Sequence, residues 1–457
     1  MSMRTLAAFA HGLGAEMRGA DVMIDRVVHD SRAVRPGDLY VALRGDRFDG
    51  HAFVAQAAQA GAAAALVSHW VDDTALPQLR VEDTLTGLQA LGASWRRQLS
   101  MPVVAVTGSN GKTTTKQMLA AIFSARGPVL ATRGNLNNHI GVPLTLLSLR
   151  AEHRTAVIEM GANHAGEIAQ LAAMARPDIG VVTQAGDAHL EGFGSREGVA
   201  HAKGELFTAL DGGIAVINAD DAYAGLWMQM ASRASKIRFG LKQPADIVAR
   251  AVTPEPFVQG PGSRFRLHTP SGDVTVRLPV PGAHNVMNAL AAAGCAIALG
   301  LDVQEIAAGL ERVEPAQGRV SWIATAEGAR VIDDSYNANP SSLHAGMELL
   351  AANAGRRWLV LGGMAELGAD AARLHYEAGV AARSLGIDGL YALGSMAAEA
   401  ARGFGAGARA FDDIAALVDA LKPQLDSHTT VLVKGSRSAR MERAVALLTG
   451  ISLPESH

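Results

Sequence analysis

A glycine-rich segment is the part of the chain whose residue types point most directly to chemistry: Gly108-Ser-Asn-Gly-Lys-Thr-Thr114. It follows the strand-like apolar run Val103–Val106 and runs into a helical pattern at Thr113–Phe123. Backbone N–H groups in such a turn, with the helix N-terminus behind them, bind phosphate oxygens. In this arrangement the Lys112 side chain reaches the terminal phosphates and the Thr113 hydroxyl ligates Mg²⁺.

The match to a phosphate-binding loop is partial, because Val106 stands where a strict Walker A segment has its first glycine. An ordinary strand–turn–helix corner is the alternative interpretation. The order of strand, loop and helix favours phosphate binding, and we predict an ATP site. The residues expected to bind ATP here are Gly108, Ser109, Asn110, Gly111, Lys112, Thr113 and Thr114.

Strands and helices alternate over most of the chain, which is typical of α/β domains with parallel sheets. The apolar runs of strand length are Val103–Val106, Thr155–Ile158, Ile179–Thr183, Ile214–Asn218, Val331–Asp333, Arg357–Leu361, Gly389–Leu393 and Thr430–Val433. Changes in character divide the chain into three domains, with predicted bounds 1–82, 83–316 and 317–457. The last repeats the strand–helix alternation of a doubly wound domain.

Two segments add to this outline. Ala55–Ala65 is rich in alanine and predicts a helix. Between Phe257 and Pro281, short alternating runs separated by Gly and Pro predict an antiparallel extension of the central domain.

The composition excludes several classes of protein. Among 457 residues, 41 Lys and Arg oppose 44 Asp and Glu, and this near balance argues against a nucleic-acid partner. A single cysteine, Cys295, excludes a disulfide framework and a cysteine-based zinc cluster. The longest apolar run, Ala289–Leu301, is too short to span a bilayer, and Met1–Ala20 lacks the pattern of a signal peptide. We expect a cytoplasmic protein without membrane insertion.

Several further segments resemble the Mur ligase family. In the central domain they are Gly134-Asn-Leu-Asn-Asn-His-Ile-Gly-Val-Pro143, Glu159-Met-Gly-Ala162, Gly186-Asp-Ala-His-Leu-Glu-Gly-Phe-Gly-Ser195 and Ala202-Lys-Gly-Glu205. Elsewhere they are Asp30-Ser-Arg32, Asp49-Gly-His51, Asp333-Asp-Ser-Tyr-Asn-Ala-Asn-Pro-Ser-Ser342 and Val433-Lys-Gly-Ser-Arg437. The resemblance implies a small N-terminal α/β domain that binds a UDP-sugar, a central P-loop ATPase domain with a parallel sheet, and a C-terminal Rossmann-like domain.

The forms of these segments resemble those of family members that add D-alanyl-D-alanine to UDP-N-acetylmuramoyl-tripeptide. The resemblance implies that ATP converts a carboxylate to an acyl phosphate, which the dipeptide amine attacks with release of ADP and phosphate, in cytoplasmic peptidoglycan precursor synthesis. Those members usually carry Leu-Gly-Asp-Met-x-Glu-Leu-Gly where this chain has Leu361-Gly-Gly-Met-Ala-Glu-Leu-Gly368. Gly363 therefore removes a carboxylate that relatives have.

The resemblance also implies a site for two Mg²⁺ ions held by Thr113, Glu159, His189 and Lys203. The lysine would act through a carbamate formed from CO₂, which replaces a cation by an anion beside the metals. The alternatives are a helix-capping role for Glu159, a solvated loop for His189 and an ordinary surface position for Lys203. Lys112, Lys203, His189 and Arg319 are the implied catalytic residues.

The remaining implied site residues contact the nucleotide or the substrates. His284, Asn285, Arg319 and Asp334 are expected to complete the ATP site. The substrate candidates are Ser31, Arg32, Arg47, His51, Asn137, Asn138, Tyr336, Asn337, Lys434 and Arg437. Helix caps, turn-forming asparagines and solvated basic loops are the alternatives for these positions.

Because the implied nucleotide residues are shared between two domains, we expect the C-terminal domain to close on ATP. The expected partners are the small-molecule substrates UDP-MurNAc-tripeptide and D-Ala-D-Ala, and we expect a monomer. One rival function is a folylpolyglutamate-type ligase, which the Asp30-Ser-Arg32 segment disfavours. The other is a nucleotide-dependent binding protein without ligase chemistry.

Overall fold

The computed structural model describes residues 3–45, 48–257, 260–315 and 318–452. Its first part contains strands and helices at β1 (Arg4–Thr5), α1 (Leu6–Leu13), β2 (Glu16–Arg18), β3 (Met23–Ile24), β4 (Arg26–Val28), β5 (Asp38–Val41), α2 (Val54–Gln59), β6 (Ala64–Val67) and β7 (Gln78–Arg80). One sheet runs in the order β2–β7–β6–β5–β4 and is parallel except at β2, while β1 and β3 form a separate antiparallel pair.

The prediction of one helix over Ala55–Ala65 is wrong at its C-terminal end. The helix α2 stops at Gln59, Gly61 adopts a left-handed φ of 95°, and Ala64–Val67 is a strand. This strand lies between two others and is buried on both faces, where small alanine side chains fit as well as they fit a helix. Tertiary packing therefore overrides helix propensity here.

The central part of the chain forms a mixed sheet covered by helices. Its elements are α3 (Thr84–Arg96), β8 (Val103–Thr107), α4 (Lys112–Phe123), β9 (Val129–Ala131), α5 (Gly141–Leu147), β10 (Thr155–Glu159), α6 (Glu167–Ala175), β11 (Ile179–Val182), α7 (Leu190–Phe193), α8 (Arg196–Thr208), β12 (Ile214–Asn218), α9 (Ala224–Met230), β13 (Ser235–Gly240), β14 (Ile247–Phe257), β15 (Gly260–Thr269), β16 (Gly272–Leu278), α10 (Ala283–Ala298) and α11 (Val303–Leu310). The strand order is β16–β15–β14–β13–β12–β11–β8–β10–β9.

This sheet is parallel from β14 to β9, and β14, β15 and β16 pair antiparallel. The predicted antiparallel extension is present, although it begins at Ile247 rather than Phe257. Both faces of the sheet are buried at its central strands β8, β10 and β11. Val104 and Val106 of β8 pack in the cluster that includes α4 and α10, whereas Val103 and Ala105 pack toward α3 and the N-terminal domain.

The C-terminal part repeats the parallel architecture. Its elements are β17 (Ser321–Ala324), β18 (Arg330–Asp334), α12 (Pro340–Ala351), β19 (Arg356–Gly362), α13 (Ala371–Ser384), β20 (Gly389–Leu393), α14 (Ser395–Phe404), β21 (Ala408–Phe411), α15 (Ile414–Leu421), β22 (Thr429–Lys434) and α16 (Glu442–Thr449). The strand order is β17–β18–β22–β19–β20–β21, with only the pairing of β17 antiparallel among the described strands of this sheet. Leu359 and Leu361 face one core cluster, and Val360 between them faces the other.

These three sheets confirm the predicted α/β class with three domains. In the parallel parts of the central and C-terminal sheets, the carboxyl ends of the strands carry the loops in which open α/β sheets place their binding sites. No helix within the described ranges combines the length and the apolar character needed to cross a bilayer.

Candidate active site

The glycine-rich loop connects β8 to α4 and has the backbone that phosphate binding requires. Gly108 and Gly111 adopt φ of 139° and 83°. A Cβ atom at Gly111 would lie 2.2 Å from the side-chain oxygen of Asn288, so the turn excludes larger residues. The Lys112 Nζ atom donates to the carbonyl oxygens of Gly108 at 2.6 Å and Ser109 at 3.2 Å, and desolvation lowers its pKa to about 8.

A buried carboxylate, Glu159, faces the start of α4 from the end of β10. Thr113 donates to it at 3.0 Å and Asn137 donates to it at 2.8 Å. The Lys116 Nζ atom lies 3.1 Å from the same carboxylate, and both side chains are almost fully buried. Burial favours the neutral acid, but Lys116 and then Lys112 outweigh it and hold the pKa of Glu159 below its usual value.

Lys116 is a site residue that the sequence analysis missed. It lies four residues after Lys112 on α4, so the two side chains project from the same face of that helix. That spacing was the available signal. Its partner Glu159 lies on another strand, and the sequence alone does not show the pairing.

His189 lies at the end of the loop after β11, and Lys203 lies on the helix α8 that follows. His189 precedes α7 with a left-handed φ of 56°, and its Nδ1 atom contacts the carboxylate of Glu366 from the C-terminal domain. Burial, with contributions from the cations Lys112 and Lys203, lowers the pKa of His189. Lys203 is on α8 and is 1% exposed; its Nζ atom donates to the Ala162 carbonyl at 3.0 Å.

Burial lowers the pKa of Lys203 to about 7, and the nearby charge of Lys112 adds to this effect. A large part of its amine is therefore neutral near pH 7. Its Nζ atom also lies 5.0 Å from the ring centre of Phe193, on the short helix that follows His189. The position is thus an enclosed one, unlike that of a surface lysine.

The C-terminal domain contributes a second group of charges. The guanidinium of Arg319 stacks on the Tyr336 ring at 4.3 Å, and that of Arg437 lies 5.7 Å from the same ring. Lys434 is 2% exposed in its side chain, forms an ion pair with Asp334 and donates to the Asn337 carbonyl at 3.0 Å. This cluster joins the ends of β18 and β22, as parallel pairing of those strands requires.

His284 and Asn285 begin α10 on the other side of the site. Asn285 donates to the Pro281 carbonyl at 2.8 Å and accepts from Asn288 at 3.3 Å, so its side chain is held by α10 and by the segment just before it. Burial lowers the pKa of His284. A Cβ atom at Gly282 would lie 2.7 Å from the imidazole ring, which shows how closely the chain packs around this histidine.

One cavity of about 540 Å³ brings together the phosphate loop, the start of α10 and part of the C-terminal cluster, whereas Glu159, His189 and Lys203 are not among its lining residues. Its walls include Ser109, Asn110, Gly111, Lys112, Thr113, Thr114, His284, Asn285, Arg319, Asp334, Tyr336, Asn337 and Lys434. A second cavity of about 420 Å³ shares Thr113, Arg319 and Tyr336 with the first and also contacts Lys116 and Arg133. The central and C-terminal domains meet beside the first cavity, where Asn110 donates to Ser341 at 2.9 Å and accepts from Asn339 at 2.8 Å.

Of the predicted substrate residues in the N-terminal domain, Ser31, Arg32 and His51 lie outside the walls of both cavities. Ser31 donates to Gln56 at 3.0 Å, and Arg32 pairs with Asp30. Both ring nitrogens of buried His51 are engaged, with Asp49 at 2.5 Å and with the backbone N–H of Ser68 at 2.9 Å. Their roles toward UDP stay predictions, and Arg47 lies outside the described residues.

The neighbouring residues Asn137 and Asn138 make different contacts. Asn137 binds Glu159, whereas the exposed Asn138 accepts from the backbone N–H groups of Ile140 at 3.1 Å and Gly141 at 2.9 Å. Asn138 therefore has the local turn contacts of the alternative interpretation, while Asn137 belongs to the carboxylate cluster. Exposed Arg437 is 3.6 Å from Glu442. The substrate roles of these residues also stay predictions.

The donor set for a metal ion is small. Within the described ranges no three or more His, Cys, Asp or Glu side chains form a group that could hold a metal ion. Glu159 and the Thr113 hydroxyl nevertheless fit Mg²⁺, which commonly takes one or two protein oxygens and completes its shell with phosphates and water.

Comparisons with known proteins agree with this geometry. The Mur ligase middle domain matches residues 106–296, the Mur ligase glutamate ligase domain matches 318–437, and the Mur ligase family catalytic domain matches 23–82. The UDP-N-acetylmuramoyl-tripeptide–D-alanyl-D-alanine ligase of Escherichia coli (strain K12) is 45% identical over 448 residues, which cover 97% of this chain and 98% of that protein.

Solved structures give the same result. A crystal structure of MurF from Acinetobacter baumannii is 37% identical, with a TM-score of 0.92 and 99% of both chains covered. MurF ligase from Thermotoga maritima in complex with ADP is 29% identical, with a TM-score of 0.81 over 93% of this chain and 96% of that one. The chain belongs to the Mur ligase family.

Proposed function

We propose that this protein is an ATP-dependent ligase that joins D-alanyl-D-alanine to UDP-N-acetylmuramoyl-tripeptide, as a monomer in the bacterial cytoplasm, and so makes a peptidoglycan precursor. The observation that carries the proposal is the cavity in which the phosphate-loop Lys112 meets Arg319 and Asp334 of the C-terminal domain. The Escherichia coli relative that carries this name is 45% identical over 97% of the chain, which supports the choice of substrates.

A carboxylate is a poor acyl donor, so the ligase must first activate it. A carboxylate oxygen of the tripeptide attacks the γ-phosphorus, the bond to ADP breaks, and an acyl phosphate forms. The amine of D-Ala-D-Ala then attacks the carbonyl carbon, loses a proton, and phosphate leaves. Phosphoryl transfer depends mainly on positioning and charge neutralisation. In this chain Lys112 and Arg319 would supply the positive charge, and His284 and Asn285 would contact the adenine end of ATP.

Glu159 and Thr113 would hold Mg²⁺ at this site. The ion would neutralise charge on the phosphates during transfer. Lys116 and Asn137 keep the Glu159 carboxylate oriented toward the start of α4, where the phosphate loop ends. His189 would serve a second ion, together with a modified Lys203.

Lys203 is suited to carbamate formation by its burial and its low pKa. The neutral amine attacks CO₂, a C–N bond forms, and one proton is released, leaving a carboxylate on the side chain. Because the amine must be neutral, the modification should form above about pH 7 and be lost as the pH falls below it. The carbamate supplies the anionic oxygen ligand that the small donor set otherwise lacks.

We expect Lys203→Ala to abolish ligation and a short-chain carboxylate to restore part of it. Nuclear magnetic resonance with ¹³C-bicarbonate should show a carbamate signal in the wild type that Lys203→Ala loses. The exposed residue Lys422 provides a matched control, since Lys422→Ala should keep both the signal and the activity. Full activity of Lys203→Ala without added carboxylate would contradict the role of this lysine.

The ligase activity is tested by phosphate release from Mg-ATP with each acceptor omitted in turn and the product weighed by mass spectrometry. UDP-MurNAc-tripeptide would be supplied with diaminopimelate or lysine as its third residue, together with D-Ala-D-Ala. Release that requires both substrates, with a mass gain of one dipeptide less water, is expected. Phosphate release at the same rate with and without the muramyl nucleotide would refute the proposed substrates. We expect Lys112→Met to release no phosphate with any substrate.

A further inference from the structure

The second cavity lies beside the phosphate end of the first one. Both cavities are lined by Thr113, Arg319 and Tyr336, and Thr113 belongs to the start of α4, where the phosphate loop ends. The γ-phosphate of ATP is expected at this shared end, and the substrate carboxylate has to meet it there. Because the nucleotide takes the first cavity, the acyl substrate approaches from the second.

One face of α4 forms a wall of the second cavity. Thr113, Lys116, Gln117 and Ala120 line the cavity at spacings of three and four residues, which place them on the same side of a helix. From the first to the last of these residues the helix rises by about 10 Å. The cavity therefore extends beyond the reacting carboxylate and has room for a side chain of the acyl substrate.

The charged residues in the described walls of the second cavity are all cations, namely Lys116, Arg133 and Arg319. Lys116 is paired with Glu159 at 3.1 Å, and Arg319 stacks on Tyr336 at the phosphate end. Arg133 is exposed, and within the described ranges its side chain forms no hydrogen bond or ion pair. Of the three cations, Arg133 is thus the one available to an anionic group of the substrate other than the phosphate.

The main chain holds Arg133 at the rim of this cavity. The preceding residue, Thr132, is buried; its N–H donates to the Val157 carbonyl at 3.0 Å, and its hydroxyl oxygen accepts from the Glu159 N–H at 2.9 Å. The Arg133 carbonyl accepts from the Leu136 N–H at 3.1 Å. The side chain therefore starts from a fixed position after β9, while its guanidinium is exposed to a ligand.

The two candidates for the third residue of the tripeptide differ in charge at the far end of the side chain. Lysine ends in an ammonium group alone, whereas diaminopimelate carries a carboxylate on the carbon that bears this ammonium. Cations in the cavity walls repel the ammonium of lysine and attract the carboxylate of diaminopimelate. An arginine also fits a carboxylate through two parallel hydrogen bonds. The second cavity therefore suits diaminopimelate better than lysine.

We propose that Arg133 binds the side-chain carboxylate of diaminopimelate and makes this chain select the diaminopimelate form of UDP-MurNAc-tripeptide over the lysine form. This inference rests on the proposed function and names the third residue of its substrate. One competing explanation is an arginine that is merely solvated. Another is a contact with a group present with either form, such as the diphosphate of UDP or the carboxylate of D-Ala-D-Ala. Neither predicts an effect that differs between the two forms.

The test compares the two forms of UDP-MurNAc-tripeptide as substrates of the full chain. Phosphate release with saturating Mg-ATP and D-Ala-D-Ala gives kcat/KM for each form. Calorimetry with the β,γ-methylene analogue of ATP gives the affinity for each form without turnover. The variants are Arg133→Met and Arg133→Glu. The matched control is Arg250→Met, because Arg250 is an exposed arginine of the same domain outside the walls of both cavities.

We expect the wild type and Arg250→Met to favour the diaminopimelate form by about 10–100-fold in kcat/KM and in affinity, the size of one charge-assisted contact. Arg133→Met should lower both quantities for the diaminopimelate form to near those of the lysine form, without a loss for the lysine form. Arg133→Glu should reverse the preference, because a carboxylate there attracts the ammonium of lysine and repels the carboxylate of diaminopimelate. Misfolding would reduce both forms and could not produce this reversal.

Equal kcat/KM values for the two forms in the wild type would overturn the inference. An equal loss for both forms in Arg133→Met, without a reversal in Arg133→Glu, would overturn it as well, and so would a rise in the KM of D-Ala-D-Ala alone. Ligation persists in each of these outcomes, and the proposed function stands. If the wild type released no phosphate with either form, the proposed function itself would be wrong.

Discussion

Replacing Lys116 by methionine removes the cation that faces Glu159 inside the central domain. The two charged atoms are 3.1 Å apart, and the side chains are only 6% and 3% exposed. At an effective dielectric constant near 20 their attraction is about 5 kcal/mol before desolvation is counted. Removing one partner of a buried pair costs about 3–5 kcal/mol, because the remaining charge is uncompensated.

We expect the lower end of that range for Lys116→Met, about 3 kcal/mol, because Thr113 and Asn137 still donate hydrogen bonds to Glu159. For a domain of 150–250 residues this corresponds to a fall in melting temperature of about 6–12 °C. The assay is calorimetric unfolding, with hydrogen exchange of the peptides from β10 and α4 to locate the loss in the central domain.

The loss should also depend on pH. The pKa of Glu159 in the folded protein is lowered, so its ionised form stabilises the fold above the unfolded pKa and that contribution disappears as the pH falls through the folded pKa. In Lys116→Met fewer positive charges oppose the effect of burial on Glu159. Its carboxyl group therefore takes up a proton at a higher pH than in the wild type. The difference in the free energy of unfolding between the wild type and Lys116→Met is therefore largest at neutral pH and becomes smaller as the pH falls.

Two variants make this prediction refutable. Lys116→Met combined with Glu159→Gln should be more stable than Lys116→Met alone, because no unpaired charge is buried. Lys242→Met removes an exposed lysine of the same domain and should change stability by less than about 0.5 kcal/mol. A loss below about 1 kcal/mol for Lys116→Met, or a double variant as unstable as the sum of its parts, would refute the reasoning.

Two further outcomes follow from local geometry. Gly111→Ala places a Cβ atom 2.2 Å from the Asn288 side-chain oxygen at a φ of 83°, and it should weaken ADP binding at least about tenfold in calorimetry. Gly212→Ala is its control, with a φ of 75° and open space around the new atom; equal ADP affinities for the two variants would contradict the explanation. Burial raises the pKa of the Cys295 thiol, so a thiol-specific chromogenic reagent should react with it only after denaturation, and rapid reaction in the native protein would show that the site opens.

The sequence was most informative about strands with two buried faces. Ile214–Asn218 and Gly389–Leu393 have the predicted bounds because parallel strands read as continuous apolar runs. The same reasoning fails at Ala64–Val67. Alanine favours helices and also fits a crowded strand, so only the neighbouring strands decide between the two.

Site residues divide in a similar way. The glycine-rich loop is a local structure, and the chemistry predicted for Lys112 and Thr113 follows from their spacing. Lys116 and Glu366 depend on partners that lie far away in the sequence, Glu159 and His189. These contacts arise from the folding of the sheet and the packing of one domain on another, and a single sequence carries no direct record of either.

The shared wall of the larger cavity has a thermodynamic consequence. A nucleotide bound there would lie between Lys112 of one domain and Asp334 of another, and it would lose contacts when either domain unfolds. At a free concentration about 100 times its dissociation constant, such a ligand adds about 2.7 kcal/mol of stability. Both domains would draw on that same stabilisation, so we expect nucleotide to make their unfolding more cooperative.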